Sequence, residues 1–346
     1  MRKRKQEEVG IEEWRKLYQA AREFYELAPW EWVTDADMFG VQDPETGEIG
    51  YLCMLGNAGQ VVGLVAYLGR EGYDSYLRIR AADLETFDWE LAVAQRCLHL
   101  SFQDRDELTT RDLAVIRQLG LRFRGRGTWP VFRSLRPGYQ PWYLEAGEAR
   151  FLALALTQAQ EVARRMADDP GLLDRVPPGY CLVRVLRDKG ADNWKDEWLP
   201  LPPPPPMPGA EPLPRGLLSR LRRAARPLRG VWEVGMFVVP VLVTEELPGH
   251  YPAAVLCTYQ RTGVVLDMAV KPYQERFQNL ATWFAKVLEE STVDWPEEVW
   301  VRDPEVAVLL APLLGRLEMQ VVLTPELPAL SEAQESVLRW LAGDTS

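Results

Sequence analysis

Residues 38–69 read MFGVQDPETGEIGYLCMLGNAGQVVGLVAYLG, and this stretch decides the fold of the first half of the chain. It holds three short β-rich runs joined by DPETG and GNAG. Both joints are turn sequences, because Pro44 presets φ and Gly47 supplies a positive φ. A meander of antiparallel strands is expected. On its N-terminal side, Ile11, Trp14, Leu17, Tyr18, Ala21, Phe24, Tyr25 and Ala28 recur at helical spacing with charged residues between them. On its C-terminal side, VAQRCLHLSF (93–102) reads as a further strand, and TTRDLAVIRQLG (109–120) as a helix with Thr109 or Thr110 as N-cap and Gly120 at its stop. An irregular segment follows, then one long helix over EAGEARFLALALTQAQEVARRMAD (145–168). The sum is an α+β N-terminal domain.

The clearest boundary is WLPLPPPPPMPGAEPLPRG (198–216). Proline lacks the backbone donor and fixes φ, so this run is expected to be a semi-extended spacer that joins no helix or central strand. It divides the chain into residues 1–199, a Pro-rich linker at 200–216 and a C-terminal domain at 217–346. That domain opens with RGLLSRLRRAARPLRG (215–230), a short basic helix or extended arm. Apolar runs at 231–243, 253–259 and 264–270 follow, the last two joined by the hairpin signal QRTG. A helix (273–290), a strand (298–302), a helix (304–314), a strand (319–323) and a helix from Ser331 complete the order βββαβαβα. This is the element order of a ribonuclease-H-like fold, and other α/β folds share it.

Length and composition agree with two domains. The chain has 346 residues, 47% of them hydrophobic, enough to fill two cores of ordinary size. VVGLVAYL (61–68) and MFVVPVLV (236–243) fall far short of the ~20 apolar residues that cross a bilayer, so no membrane partner is expected. MRKRKQEEVG has no apolar region behind its basic start, and a cytoplasmic location is expected. Cys53, Cys97, Cys181 and Cys257 form no Cys-x-x-Cys pair and sit in apolar segments, which supports neither a disulfide framework nor a zinc site. The net charge of −10 is uneven: residues 230–346 hold 17 acids against 7 bases, and residues 1–229 are neutral.

PWEWV (29–33), FGVQDPETGEIGY (39–51), FRGRGTWPVFRSLRPGYQPWYL (123–144) and WPEEVWVRD (295–303) resemble a family of bacterial proteins built from two adjacent domains of unknown function. The likeness covers most of the chain outside the Pro-rich run, and residues 123–144 are its most specific part. It implies a two-domain division and a bacterial cytoplasmic origin, and it implies no activity.

The strongest chemical signal lies at 122–143. Arg122, Arg124, Arg126, Arg133 and Arg136 are interleaved with Phe123, Trp129, Phe132, Tyr139, Trp142 and Tyr143. Guanidinium groups pair with phosphates and stack on rings, and aromatic faces accept bases, so this composition suits an anion or single-stranded nucleic-acid surface, with a protein as the other expected partner. The bland alternative packs the rings onto the core and pairs the arginines with carboxylates. The functional version expects Arg124 and Arg133 to be exposed and convergent. A second basic cluster, Arg215, Arg220, Arg222, Arg223, Arg226 and Arg229, precedes the acidic domain and is expected to lie along it.

Other acids are softer candidates. Asp35 and Asp37 have the chemistry for a hard cation, although a turn setting points to solvation or capping. Asp303 stands where a ribonuclease-H-like fold places an acid, but Pro304 after it makes the pair an N-cap and first helical position. Such a nuclease needs carboxylates around two metal ions, and WEVGMFVVPVLV and AAVLCTYQ carry no central Asp. His99 and His250 stand alone, and there is no P-loop, G-x-G-x-x-G or G-x-S-x-G. No metal, cofactor or catalytic residue is implied. The reading is a non-enzymatic binding or interaction protein, with a nucleic-acid-processing enzyme or its degenerate relative as the alternative.

Overall fold

The computed structural model describes residues 7–57, 59, 61–82, 89–187 and 193–341. The first part of the chain forms α1 (Ile11–Leu27), β1 (Phe39–Gln42), β2 (Ile49–Leu55), β3 (Gly63–Leu68), α2 (Gly69–Ala81), α3 (Trp89–Val93), β4 (Cys97–Gln103), α4 (Thr110–Gln118), β5 (Trp129–Leu135), α5 (Ala146–Asp168), β6 (Tyr180–Leu186) and β7 (Trp194–Pro200). The remainder forms α6 (Leu217–Ala224), β8 (Val231–Val238), β9 (Pro252–Tyr259), β10 (Val264–Pro272), α7 (Leu280–Glu290), β11 (Glu298–Val301), α8 (Pro304–Gly315), β12 (Gln320–Leu323) and α9 (Pro328–Leu341). These make two compact units that divide between Pro205 and Pro206, with α3 and Pro137–Gln140 belonging to the second. Among the described residues no helix is long and apolar enough to cross a membrane.

Each unit is a mixed α/β layer structure. In the first, the seven strands run in the order β5-β4-β3-β2-β1-β6-β7, and all neighbours are antiparallel except β1 and β6. The meander arises as the turns dictate: Gly47 adopts φ 75° between β1 and β2. Alternation along β2 sends Leu52 and Met54 into a core shared with Leu17 and Phe24 of α1 and Leu152 and Leu156 of α5. Tyr51 and Cys53 turn the other way, into a smaller cluster with Tyr67, Cys97 and Tyr76 of α2.

The second unit places β10-β9-β8-β11-β12 side by side. β9 is antiparallel to both neighbours, whereas β8, β11 and β12 are parallel. Trp232, Val234, Val299 and Val301 face Phe284 of α7 and Leu310 of α8. Phe237 and Leu256 face Leu330 of α9.

Several details depart from the sequence reading. The segment expected to be irregular contains β5, an outermost strand that tolerates Pro130 because it needs ladder bonds on one side only. The last outer strand, β7, takes in Trp198–Pro200, so the start of the Pro-rich run is strand and not spacer. The helix expected over 273–290 is a short turn at Tyr273–Glu275 and then α7, which begins after Asn279 at φ 56°. α9 begins three residues before Ser331.

Gly63 shows how tightly the first sheet is built. A Cβ there would lie 2.0 Å from the Leu100 carbonyl oxygen of β4, and backbone cannot swing aside as a side chain can. Gly63→Ala should therefore cost about 3 kcal/mol. Gly47→Ala, in open space at positive φ, should cost only about 1 kcal/mol. Urea unfolding of the two variants checks this, and equal small losses would contradict it.

Candidate functional site

The structure sorts the arginines of 122–143 by what they touch. Arg133 on β5 forms a two-pronged pair with Asp112 on α4, Nη1 to Oδ1 at 2.9 Å and Nη2 to Oδ2 at 2.7 Å. Its side chain is 17% exposed, and the Arg111 and Arg133 guanidinium groups lie 4.2 and 5.0 Å from the centre of the Tyr143 ring. Burial pushes the Asp112 carboxyl up, but hydrogen bonds from Arg133 and Thr109 outweigh it and hold the group below the usual carboxylate range. Arg136 is similarly occupied, its Nη2 lying 2.6 Å from Glu145 Oε1 and 3.0 Å from Glu148 Oε1. The expectation that Arg133 is exposed beside Arg124 is thus wrong: β5 and α4 carry Arg133 and its partner acid to one place.

The rings divide too. Trp142 pairs with Ser134 in an isolated bridge and stands 5.2 Å from Tyr143. Tyr139 lies in the second unit, bridged to His250. Trp129, half-buried, rests 5.6 Å from Phe123. Arg126 is almost fully exposed and sits 3.8 Å from Asp104.

Arg122 and Arg124 behave differently. After α4, Gly120 takes φ 68° and the chain runs extended, so Leu119, Leu121 and Phe123 pack on the core while Arg122 and Arg124 alternate outward. Among the described residues neither guanidinium has an ion-pair or hydrogen-bond partner. The backbone amides of Arg122, Phe123 and Arg124 are likewise not used by any helix, strand or turn bond. Between this segment and α1 lies an open groove of about 990 Å³. α1 contributes Arg15 and Arg22, and Tyr18, Tyr25, Phe102 and Phe123 form an aromatic floor. Arg15 pairs with Glu12, and Arg22 Nε meets Glu26 Oε1 at 2.8 Å. Exposed pairs of this kind are worth about 0.5 kcal/mol and give way readily to a competing anion.

The acids and thiols are placed structurally. Asp37 Oδ2 accepts from the Thr34 amide at 2.7 Å and its hydroxyl at 2.8 Å, and Asp35 lies 3.8 Å from Arg80. Asp303 occupies the N-cap position of α8, although its side chain makes no capping hydrogen bond to that helix. Among the described residues no three His, Cys, Asp or Glu side chains are grouped to hold a metal ion. Burial pushes the Cys53, Cys97 and Cys181 thiols up to about 12, which leaves them protonated and inert. His99, across the strand pair from Arg133, is pushed down to about 4 by burial and then by that guanidinium, so it is neutral. In the second basic cluster Arg220 lies 3.0 Å from Glu289 and Arg229 4.0 Å from Asp294, both acids of its own unit.

One acid escaped the sequence reading, which sought an Asp on the opening strand of the second unit. Glu233 is the third residue of β8, fully buried, and its Oε2 accepts from the Leu330 amide at the start of α9 at 2.7 Å. Across the strand pair stands Thr258, also fully buried. Glu233 Oε1 and Thr258 Oγ1 have no hydrogen-bond partner among the described residues. Burial raises the Glu233 carboxyl, opposed by the Leu330 and Ala329 amides. A lone Glu within VWEVGMFV was the available signal.

These features define a two-unit mixed α/β protein whose first unit carries an arginine-lined aromatic groove. Residues 14–184 match the family described as Domain of unknown function (DUF7309), and residues 217–338 match Domain of unknown function (DUF6930). The two matches lie next to each other along the chain, which fits a two-domain family of unknown function. No curated protein matches it.

Asp112→Ala strands Arg133 in a mostly buried site and should cost about 3 kcal/mol, whereas Arg122→Ala and Arg124→Ala should stay within about 0.5 kcal/mol of wild type. Because the Asp112 pKa is lowered, its contribution is present above its ordinary value of 3.8 and disappears as pH falls through the lowered one. Urea titrations at several pH values test both statements. Glu233 has the opposite sign: its raised pKa means stability is lost as pH rises from the ordinary 4.5 through the folded value. Glu233→Gln keeps an acceptor for the Leu330 amide and removes the buried charge. Its stability advantage over wild type should grow as pH rises above the ordinary 4.5, and a constant offset would refute this.

Proposed function

We propose that this is a non-enzymatic binding or interaction protein, whose first unit presents the groove between α1 and the Arg122–Arg124 segment to an anionic partner. The observation that carries the reading is the contrast within one stretch of sequence. Arg133 and Arg136 are consumed by Asp112, Glu145 and Glu148, whereas Arg122 and Arg124 stand exposed with no partner among the described residues. Two unpaired forks beside two weakly paired ones suit an anion presenting several oxygens.

The same reading takes the protein to be bacterial and cytoplasmic. Four buried free thiols support a reducing compartment. Domains at 1–199 and 217–346 with a Pro-rich linker at 200–216 fit it, supported by family matches that stop at 184 and resume at 217. For the second unit, the strand order β10-β9-β8-β11-β12 favours the alternative of a ribonuclease-H-like relative. Glu233 spends its carboxylate on the α9 amide, which supports a scaffold without nuclease chemistry.

The test is a titration of the full chain with inorganic polyphosphate across a salt series. Wild type should bind with strong salt dependence, and Arg122→Glu combined with Arg124→Glu should weaken binding at least tenfold with no change in melting temperature. Equal binding by the double variant would move the site elsewhere.

A further inference from the structure

Building on that proposal, we infer that the groove's partner is single-stranded nucleic acid, with phosphates held by the arginines on its rims and an unpaired base laid against the aromatic floor. An acidic protein would need only the cations. The groove offers more. Tyr25 is half-buried, 4.7 Å from Phe102 and 5.7 Å from Trp30, so neighbours fix its ring while part of it stays open. Phe123 is also half-buried, wedged 6.2 Å from Tyr18 and 5.6 Å from Trp129. Rings held in this way lose little freedom when a base stacks on them, and every base has a π-face.

The cations fit the same ligand. All four lining the groove are arginines, whose flat guanidinium groups pair with phosphate oxygens through two N–H bonds and also stack on bases. Glu23 and Glu26 line the groove as well, and Glu12 sits on Arg15, so the four arginines exceed the acids beside them by one positive charge, which favours a polyanion without making binding indiscriminate. Among the described residues no backbone hydrogen bond uses the amides of residues 122–124, which leaves them available as donors. Duplex DNA hides its bases within the stack, so it could use the rims and not the floor.

The experiment measures affinity of the full chain at matched ionic strength for fluorescent 12-nucleotide oligo(U) and oligo(dT), a DNA duplex and baseless polyphosphate. Both oligonucleotides should bind more tightly than duplex or polyphosphate. Tyr25→Leu, which keeps apolar bulk, should weaken oligonucleotide binding about tenfold and leave polyphosphate binding unchanged. Changing Arg122 and Arg124 to Ala should reduce the salt slope for single strands by about 1.4. Photocrosslinking of a 5-iodouracil oligonucleotide to the unaltered protein gives a readout independent of how Tyr25→Leu folds, and adducts should map to Tyr25 or Phe123. Adducts only elsewhere, or duplex and polyphosphate binding as tightly as the single strands, would overturn the inference and leave the anion-binding reading standing. If no polyanion binds even at low salt, both fail.

Discussion

The forked pair between Arg133 and Asp112 fixes the part of the first unit that the candidate site depends on. It ties the first turn of α4 to the middle of β5, with Thr109 and Tyr143 closing the arrangement around it. With helix and strand locked at one point, the ten residues from Leu119 to Thr128 must leave the end of α4 and return to the start of β5 over a set distance. Gly120 turns the chain out of the helix at φ 68°. Near the other end the Gly127 amide donates to Asp104 Oδ1 at 2.7 Å. Between these ends, ahead of the bend at 125–127, residues 121–124 alternate between half-buried and exposed. Leu119, Leu121 and Phe123 take the inner positions, so Arg122 and Arg124 have to take the outer ones.

This explains how neighbouring arginines of like appearance come to have unlike roles. Asp112 lies 21 residues before Arg133, and Glu148 lies 12 after Arg136; only the folded sheet and helices bring them together. Periodicity reports which face a residue takes, but it does not report which charge on another element stands opposite. The rings and guanidinium groups of 122–143 could therefore be recognised in sequence as unusual, while their division between core and groove could not.

The elements followed the same rule. Where local signals coincide, as in the DPETG turn, the Thr109 cap with Gly120 after it, or the apolar runs of the second unit, the order of strands and helices could be read directly. β5 was missed because Pro130, two glycines and the arginines before it obscure the alternation, which survives only because an outermost strand bonds on one side. Glu233 shows in the sequence only as a lone acid within an apolar strand, and nothing local to that strand reveals its partner. Buried at the centre of β8 and bonded to the first turn of α9, it joins that helix to the sheet, a long-range tie invisible from β8 alone.

The charge balance of the whole chain says little about the groove. Residues 1–229 carry as many acids as bases, and the acidic excess falls in residues 230–346. At physiological salt, exposed charges are screened beyond about 8 Å, so a phosphate responds to the side chains that line its site and little to the total. In the groove that local sum is positive. Several arginines of the unit are neutralised by nearby acids: Arg150 is shared by Glu13 and Glu45, and Asp196 holds both Arg165 and Arg184. Arg122 and Arg124, by contrast, stand exposed along one rim of the groove with no ion-pair partner among the described residues. Exposed unpaired arginines contribute little to folding, so the proposed anion site rests on side chains that the fold can change at little cost in stability.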